Sequence, residues 1–112
     1  MSRRTPETEL KDQVCKKLDK MQSSGYAIIY WRRNADGINF HQGDPDIYGS
    51  FNGYHFEIEL KAKDGELSSS QKRVIERFKQ FKINYILLDK IDDLEPFLLE
   101  IAHIEKNWGG EK

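Results

Sequence analysis

The chain is short of cysteine, of long apolar segments and of net charge, and each shortage excludes a class of protein. Cys15 is its only cysteine, so an intrachain disulfide scaffold and a cysteine-based zinc site are excluded. No run of about 18 apolar residues and no basic-then-apolar leader occurs, so we expect an intracellular, cytoplasmic protein with no membrane partner. The formal net charge is −1, so any nucleic-acid binding must depend on local basic clusters.

The 112 residues, of which 38% are hydrophobic, predict one domain with a single modest core. We expect this domain to span residues 1–112, with frayed ends at about 1–4 and 109–112. Apolar periodicity predicts the element order α-β-β-β-α-β-α. An antiparallel hairpin, followed by a strand that returns after a crossover helix, predicts a mixed sheet and therefore a mixed α/β fold.

Local signals predict where several elements begin and which way they face. Thr5-Pro6 is typical of a helix start, with the threonine as N-cap. The apolar run 83–88 is expected to be a buried central strand, and a last helix is expected over about 92–104. The helix before that strand is expected to turn four apolar side chains inward: Val74, Ile75, Phe78 and Phe81.

A hairpin is predicted at Asn52-Gly53, which separates two strand-like runs. Both central positions of a type I′ turn need a positive φ, and asparagine followed by glycine is the strongest short signal for it. With these two residues as the loop, Phe51 pairs with Tyr54, and the register of the whole hairpin follows.

This register gathers three charged side chains, Asp46, Glu59 and Lys61. The two carboxylates are directly opposed, and the Cβ atoms of opposed residues are roughly 4.5–5.5 Å apart. Lys61 projects from the same face as Glu59, about 6–7 Å further along the strand. Two acids this close repel unless a cation compensates them. The trio therefore suits metal-assisted attack of water on a phosphodiester.

Glu7 and Gln71 each have two interpretations. Glu7 lies on the inward stripe of the first helix, where it is either a helix N-terminus partner or a contact to the metal site. Gln71 completes a capping box with Ser68, yet it also lies on the inner face of its helix, where it could position water or phosphate.

The neighbouring acids and histidines are interpreted more simply. Glu57, across from Tyr48, is expected to be a solvated strand charge in preference to an outer metal ligand or a DNA-facing residue, and Asp44 is expected to be a turn residue. His41 and His55 have no partner histidine at ligand spacing, so a histidine-rich zinc shell is not expected. Oxygen ligands alone favour Mg²⁺ or Mn²⁺.

Four basic side chains are the candidates for DNA contact: Arg32, Arg33, Lys63 and Lys72. A solvated surface is the alternative interpretation of these clusters.

The chain resembles the virus-type replication-repair nuclease (VRR-NUC) family of the PD-(D/E)XK nuclease superfamily. The resemblance covers about residues 5–95. The segments that carry it are Gly43-Asp44-Pro45-Asp46-Ile47, Glu59-Leu60-Lys61, Gly65-Glu66-Leu67-Ser68, Gln71, Glu7 and Trp31-Arg32-Arg33-Asn34. Asp44 and Glu57 are acids that the usual family pattern lacks.

The resemblance implies a restriction-endonuclease-like fold and metal-dependent cleavage of DNA. It implies metal ligation by Asp46 and Glu59, a Lys61 that orients water or offsets charge, and supporting roles for Glu7, as a further ligand, and for Gln71. Small members of the family are similar to homodimers that cut Holliday junctions. We therefore expect a homodimer that cuts branched DNA, with a flap- or end-directed nuclease and a catalytically silent DNA-binding module as alternatives.

Two surfaces are candidates for the dimer contact. One is the group of aromatic side chains near the hairpin tip, Tyr48, Phe51 and Tyr54, and the other is the last helix with Trp108. Either could equally belong to the monomer core.

Overall fold

The computed structural model of the chain describes residues 5–33, 42–62 and 65–104. Its elements are α1 (Pro6–Ser23), β1 (Ile28–Arg32), β2 (Ile47–Phe51), β3 (Tyr54–Leu60), α2 (Ser69–Gln80), β4 (Tyr85–Leu88), a short 3₁₀ turn (Ile91–Asp93) and α3 (Leu94–Ile101). The predicted order of helices and strands and the mixed α/β class are confirmed. The expectations for the two ends, for His41, for Lys63 and for Trp108 concern residues outside the described ranges.

Helix α1 begins as its sequence predicts. The Thr5 hydroxyl accepts a hydrogen bond from the Thr8 backbone N–H at 3.1 Å, and Pro6 occupies the first turn, where no intrahelical donor is needed. The inward stripe of this helix is buried at Leu10, Val14, Leu18 and Met21. Within the described ranges, no helix is long and apolar enough to cross a bilayer.

The four strands lie in the order β1-β2-β3-β4, antiparallel as far as β3 and parallel between β3 and β4. The hairpin turn has positive φ at Asn52 (53°) and Gly53 (85°), as a type I′ turn requires. Phe51 pairs with Tyr54, which confirms the predicted register.

The expectation that β4 is a central strand is wrong, because β4 lies at an edge of the sheet. Its Leu87 is 43% exposed, whereas Leu88 is fully buried. An apolar run shows that a strand has a buried side, but it does not show whether a further strand pairs with its second edge. The inward placement of Phe81 is also wrong, since α2 ends at Gln80 and Phe81 is 61% exposed.

Helices α1 and α3 cover one face of the sheet. Their apolar side chains form one core with Ile47, Phe51, Phe56, Ile58 and Leu60. Phe51 is fully buried there, so it cannot belong to a dimer surface. Helix α2 contacts the opposite face, where Glu57 and Glu59 point.

Candidate active site

Asp46 and Glu59 meet at one end of the hairpin. The ladder between β2 and β3 ends at the pair Ile47–Ile58, so Asp46 lies one residue beyond it, beside Glu59. One oxygen of Asp46, Oδ2, accepts a hydrogen bond from the Leu60 backbone N–H at 3.0 Å. This bond fixes the carboxylate against β3. The opposed placement that the turn predicts is thus present.

Glu59 is an acid held in a buried site. It is only 3% exposed. Burial is the main reason that the pKa of Glu59 is raised to about 8, and the negative charges of Asp46 and Glu7 and a hydrogen bond with Asp46 act in the same direction. Lys61 opposes them. The ionised carboxylate therefore lacks sufficient compensation from the protein alone.

Gln71 closes the predicted capping box and also contacts Glu59. Its Oε1 accepts from the Ser68 N–H at 2.8 Å, and its own N–H donates to the Ser68 hydroxyl at 3.1 Å, which closes the capping box. The same amide donates through Nε2 to Oε2 of Glu59 at 3.1 Å. The cap thus fixes the orientation of the amide that holds Glu59.

The beginning of α1 forms a second side of the site. A cleft of about 410 Å³ is lined by Thr5, Pro6, Glu7, Thr8, Lys11 and Ala62. Lys11 Nζ lies 3.9 Å from Oδ1 of Asp46. The sequence reasoning missed Lys11, although its position one helical turn after Glu7 places both on the same helix face.

Arg33 and Glu57 form a largely buried ion pair beside the Asp46 segment. Arg33 Nη1 donates to Glu57 Oε1 at 2.7 Å, and Nη2 lies 3.4 Å from Oε2. His55 Nε2 is 2.6 Å from the same Oε2. Glu57 is 5% exposed, so its interpretation as a solvated strand charge is wrong. Strand alternation showed which face carries Glu57 but not that this part of the face is covered.

The comparisons with known proteins bear on the fold. No protein-family profile matches the chain, and no curated protein sequence matches it. A solved structure described as a VRR_NUC domain superimposes on it with a TM-score of 0.66 and 16% sequence identity. The alignment covers 83% of this chain and 94% of that one. The chain has the VRR_NUC fold. The restriction-endonuclease-like architecture expected from the sequence is therefore confirmed.

Within this VRR_NUC fold, the donor set fits a magnesium-like ion. No three His, Cys, Asp or Glu side chains in ranges 5–33, 42–62 and 65–104 are close enough to form a complete metal site by themselves. Asp46 and Glu59 do converge, while Glu7 acts on Glu59 through its charge. Mg²⁺ is commonly bound by one or two carboxylates together with water and substrate phosphates. Two converging acids, one of them poorly compensated, match that requirement.

The predicted DNA-contacting residues differ in their exposure to solvent. Arg32 and Lys72 are exposed, whereas Arg33 is directed into the protein and contacts Glu57. Asp44 lies near this arginine, with Oδ2 3.9 Å from Arg33 Nε.

Proposed function

We propose that this protein is a Mg²⁺- or Mn²⁺-dependent endodeoxyribonuclease that cuts branched DNA. The observation that carries the proposal is the buried Glu59 carboxylate, whose pKa is raised by burial and by two neighbouring acids on a VRR_NUC fold. Strongly perturbed titratable groups collect at functional sites. A carboxylate whose negative charge is not neutralised by the surrounding protein is a favourable binding site for a divalent cation.

Asp46 and Glu59 would hold the metal, while Glu7, which lines the cleft without joining them in a three-carboxylate cluster, would contribute its negative charge. A metal held by these residues would supply Lewis acidity, which would polarise the phosphodiester and lower the pKa of a water molecule. Asp46 is already fixed by the Leu60 N–H, and Glu59 by Gln71, so both ligands are oriented before substrate arrives.

Three further side chains would act on the DNA or on the charge that develops during cleavage. Lys61 lies close enough to influence the charge of Glu59, and it would offset negative charge on the phosphorane-like transition state. Gln71 would keep Glu59 in its ligating orientation. Lys11, between Asp46 and the cleft, would bind a phosphate of the substrate strand.

A symmetric dimer would suit a branched substrate. A net charge of −1 leaves little surface to grip a long duplex, whereas two sites at a fixed spacing can select a junction by shape. Tyr54, 42% exposed at the hairpin tip, is a candidate for the dimer contact. Light scattering at micromolar concentration tests the dimer, and a strictly monomeric protein would remove this part of the proposal.

Cleavage assays test the proposed activity. A labelled four-way junction, a flap and a linear duplex of the same sequences are incubated with Mg²⁺, Mn²⁺, Ca²⁺ or chelator. We expect junction cleavage in Mg²⁺ and Mn²⁺, little in Ca²⁺ and none in chelator. Glu59→Gln and Lys61→Ala should abolish cleavage, whereas Glu76→Gln, at an exposed acid of α2, should not. Preference for the flap would favour the alternative nuclease, and binding without cleavage would favour the silent module.

A further inference from the structure

Arg33 is attached to three consecutive residues that precede β2. Its backbone N–H donates to the Asp46 carbonyl oxygen at 2.8 Å. Its Nη1 donates to the Pro45 carbonyl oxygen at 2.9 Å, and its Nε lies 3.9 Å from Oδ2 of Asp44. One arginine therefore binds the segment that carries the proposed metal ligand.

This segment lies outside the regular sheet. The ladder between β1 and β2 ends at the pair Arg32–Ile47, so it does not include residues 44–46. Pro45 has no backbone N–H that could extend it. The position of Asp46 relative to Glu59 consequently depends on contacts such as those of Arg33.

The arginine is itself held in place. Glu57 binds both terminal nitrogens of its guanidinium, and the guanidinium carbon lies 4.2 Å from the centre of the Tyr48 ring. A planar guanidinium that is paired with a carboxylate and stacked on an aromatic ring has a defined orientation that lysine cannot reproduce. Glu57, which is 5% exposed, anchors this arrangement to β3, the strand that also carries Glu59.

We propose that Arg33 is a positioning residue, and that the Arg33–Glu57 pair sets Asp46 at the separation from Glu59 that a divalent metal requires. This inference rests on the proposed function and deepens it. The guanidinium donors are directed at Glu57, Pro45 and Asp44. That geometry assigns the arginine to the support of the site rather than to the DNA contact that the sequence predicts.

Arg33→Lys tests the proposal, with Arg77→Lys at an exposed position of α2 as the matched control. The substitution keeps a positive charge beside Glu57 but removes the planar fork that also reaches Pro45. The first readout is amide hydrogen exchange of the metal-free protein. The Leu60 amide donates to Asp46, and the Lys61 amide, which donates to Leu88, is the internal reference. We expect Leu60 exchange to accelerate about tenfold or more in Arg33→Lys while Lys61 is unchanged.

The second readout is Mg²⁺ affinity by calorimetry together with junction cleavage. Loss of a residue that orients a ligand typically weakens metal affinity or activity about 10–100-fold. We expect Arg33→Lys to lose Mg²⁺ affinity in that range and to lower kcat at fixed Mg²⁺, with KM for DNA unchanged. A higher KM with normal Mg²⁺ affinity would overturn the proposal and assign Arg33 to DNA contact.

A double variant separates positioning from folding. Arg33→Met with Glu57→Met removes both charges, so neither is left buried without a partner, and such replacements often preserve the fold. We expect the same loss of Mg²⁺ affinity in this double variant. If both variants bind Mg²⁺ like Arg77→Lys, the positioning role is wrong while the proposed nuclease stands. If the wild-type protein binds no divalent metal and cuts no DNA, both proposals fail.

Discussion

Glu59→Gln should stabilise the metal-free protein near neutral pH while it abolishes cleavage. The glutamine amide oxygen can accept the hydrogen bond of Gln71, and its NH₂ group can donate to Asp46. The variant therefore resembles the protonated acid. It removes an ionisable group that is unfavourable in the folded protein without removing its hydrogen bonds.

The size and sign of the effect follow from the pKa of Glu59. Burial, assisted by Asp46 and Glu7, raises that pKa from 4.5 to about 8 in the folded protein. Between these values the folded chain binds a proton that the unfolded chain has released, so the free energy of unfolding falls as pH rises. The full pKa shift corresponds to a contribution of about 5 kcal/mol to the free energy of unfolding. Of this contribution, about 2–3 kcal/mol is lost between pH 5 and pH 7.

Urea unfolding in chelator at pH 5 and pH 7 measures this contribution. From pH 5 to pH 7, the free energy of unfolding of the wild type should fall by about 2–3 kcal/mol more than that of Glu59→Gln, because the other titrating groups are common to both proteins. Glu76→Gln, which replaces an exposed glutamate of α2, should follow the wild type. Saturating Mg²⁺ should stabilise the wild type and leave Glu59→Gln nearly unchanged. Parallel pH dependence in wild type and Glu59→Gln would refute the reasoning.

Three further changes have defined outcomes. Lys11→Met should raise KM for DNA, and it should reduce the slope of log binding constant against log salt concentration, measured in Ca²⁺, by about one. Lys16→Met, at an exposed position of the same helix, should change that slope less. Gln71→Glu keeps a capping-box residue but places a negative charge beside Glu59, so single-turnover cleavage should fall about 10–100-fold with little change in Tm. Gly49→Ala would place a Cβ 2.2 Å from the Ile29 carbonyl oxygen, so chemical denaturation should show a loss of about 1–3 kcal/mol that Ser50→Ala does not share.

The parts of the molecule that the sequence predicts are those set by local chemistry. Asn52-Gly53 fixes the turn, the turn fixes the register, and the register places Asp46 beside Glu59. Thr5 and Ser68 likewise mark the starts of α1 and α2. Each of these signals involves residues close together in the chain.

The errors concern which surfaces other elements cover. Alternation along β3 identifies the face that carries Glu57 but not what packs on that face, so the expectation that Glu57 is solvated is wrong. The sequence makes Phe51 a candidate for the dimer surface, yet Phe51 lies in the core with side chains of α1 and α3. Lys11 reaches Asp46 only because α1 lies against this end of the hairpin, a tertiary arrangement that helix periodicity does not specify.

Cleavage of a labelled four-way junction by wild type and by Asp46→Asn, purified in the same way, tests the central claim most directly. The substitution nearly preserves the size of the side chain and retains an oxygen that can accept from the Leu60 N–H, but it removes the charge that a divalent metal needs. We predict Mg²⁺-dependent cleavage by the wild type and none by the variant, with matched circular dichroism and Tm. Equal cleavage by both proteins, or cleavage by the wild type in chelator, would contradict the account.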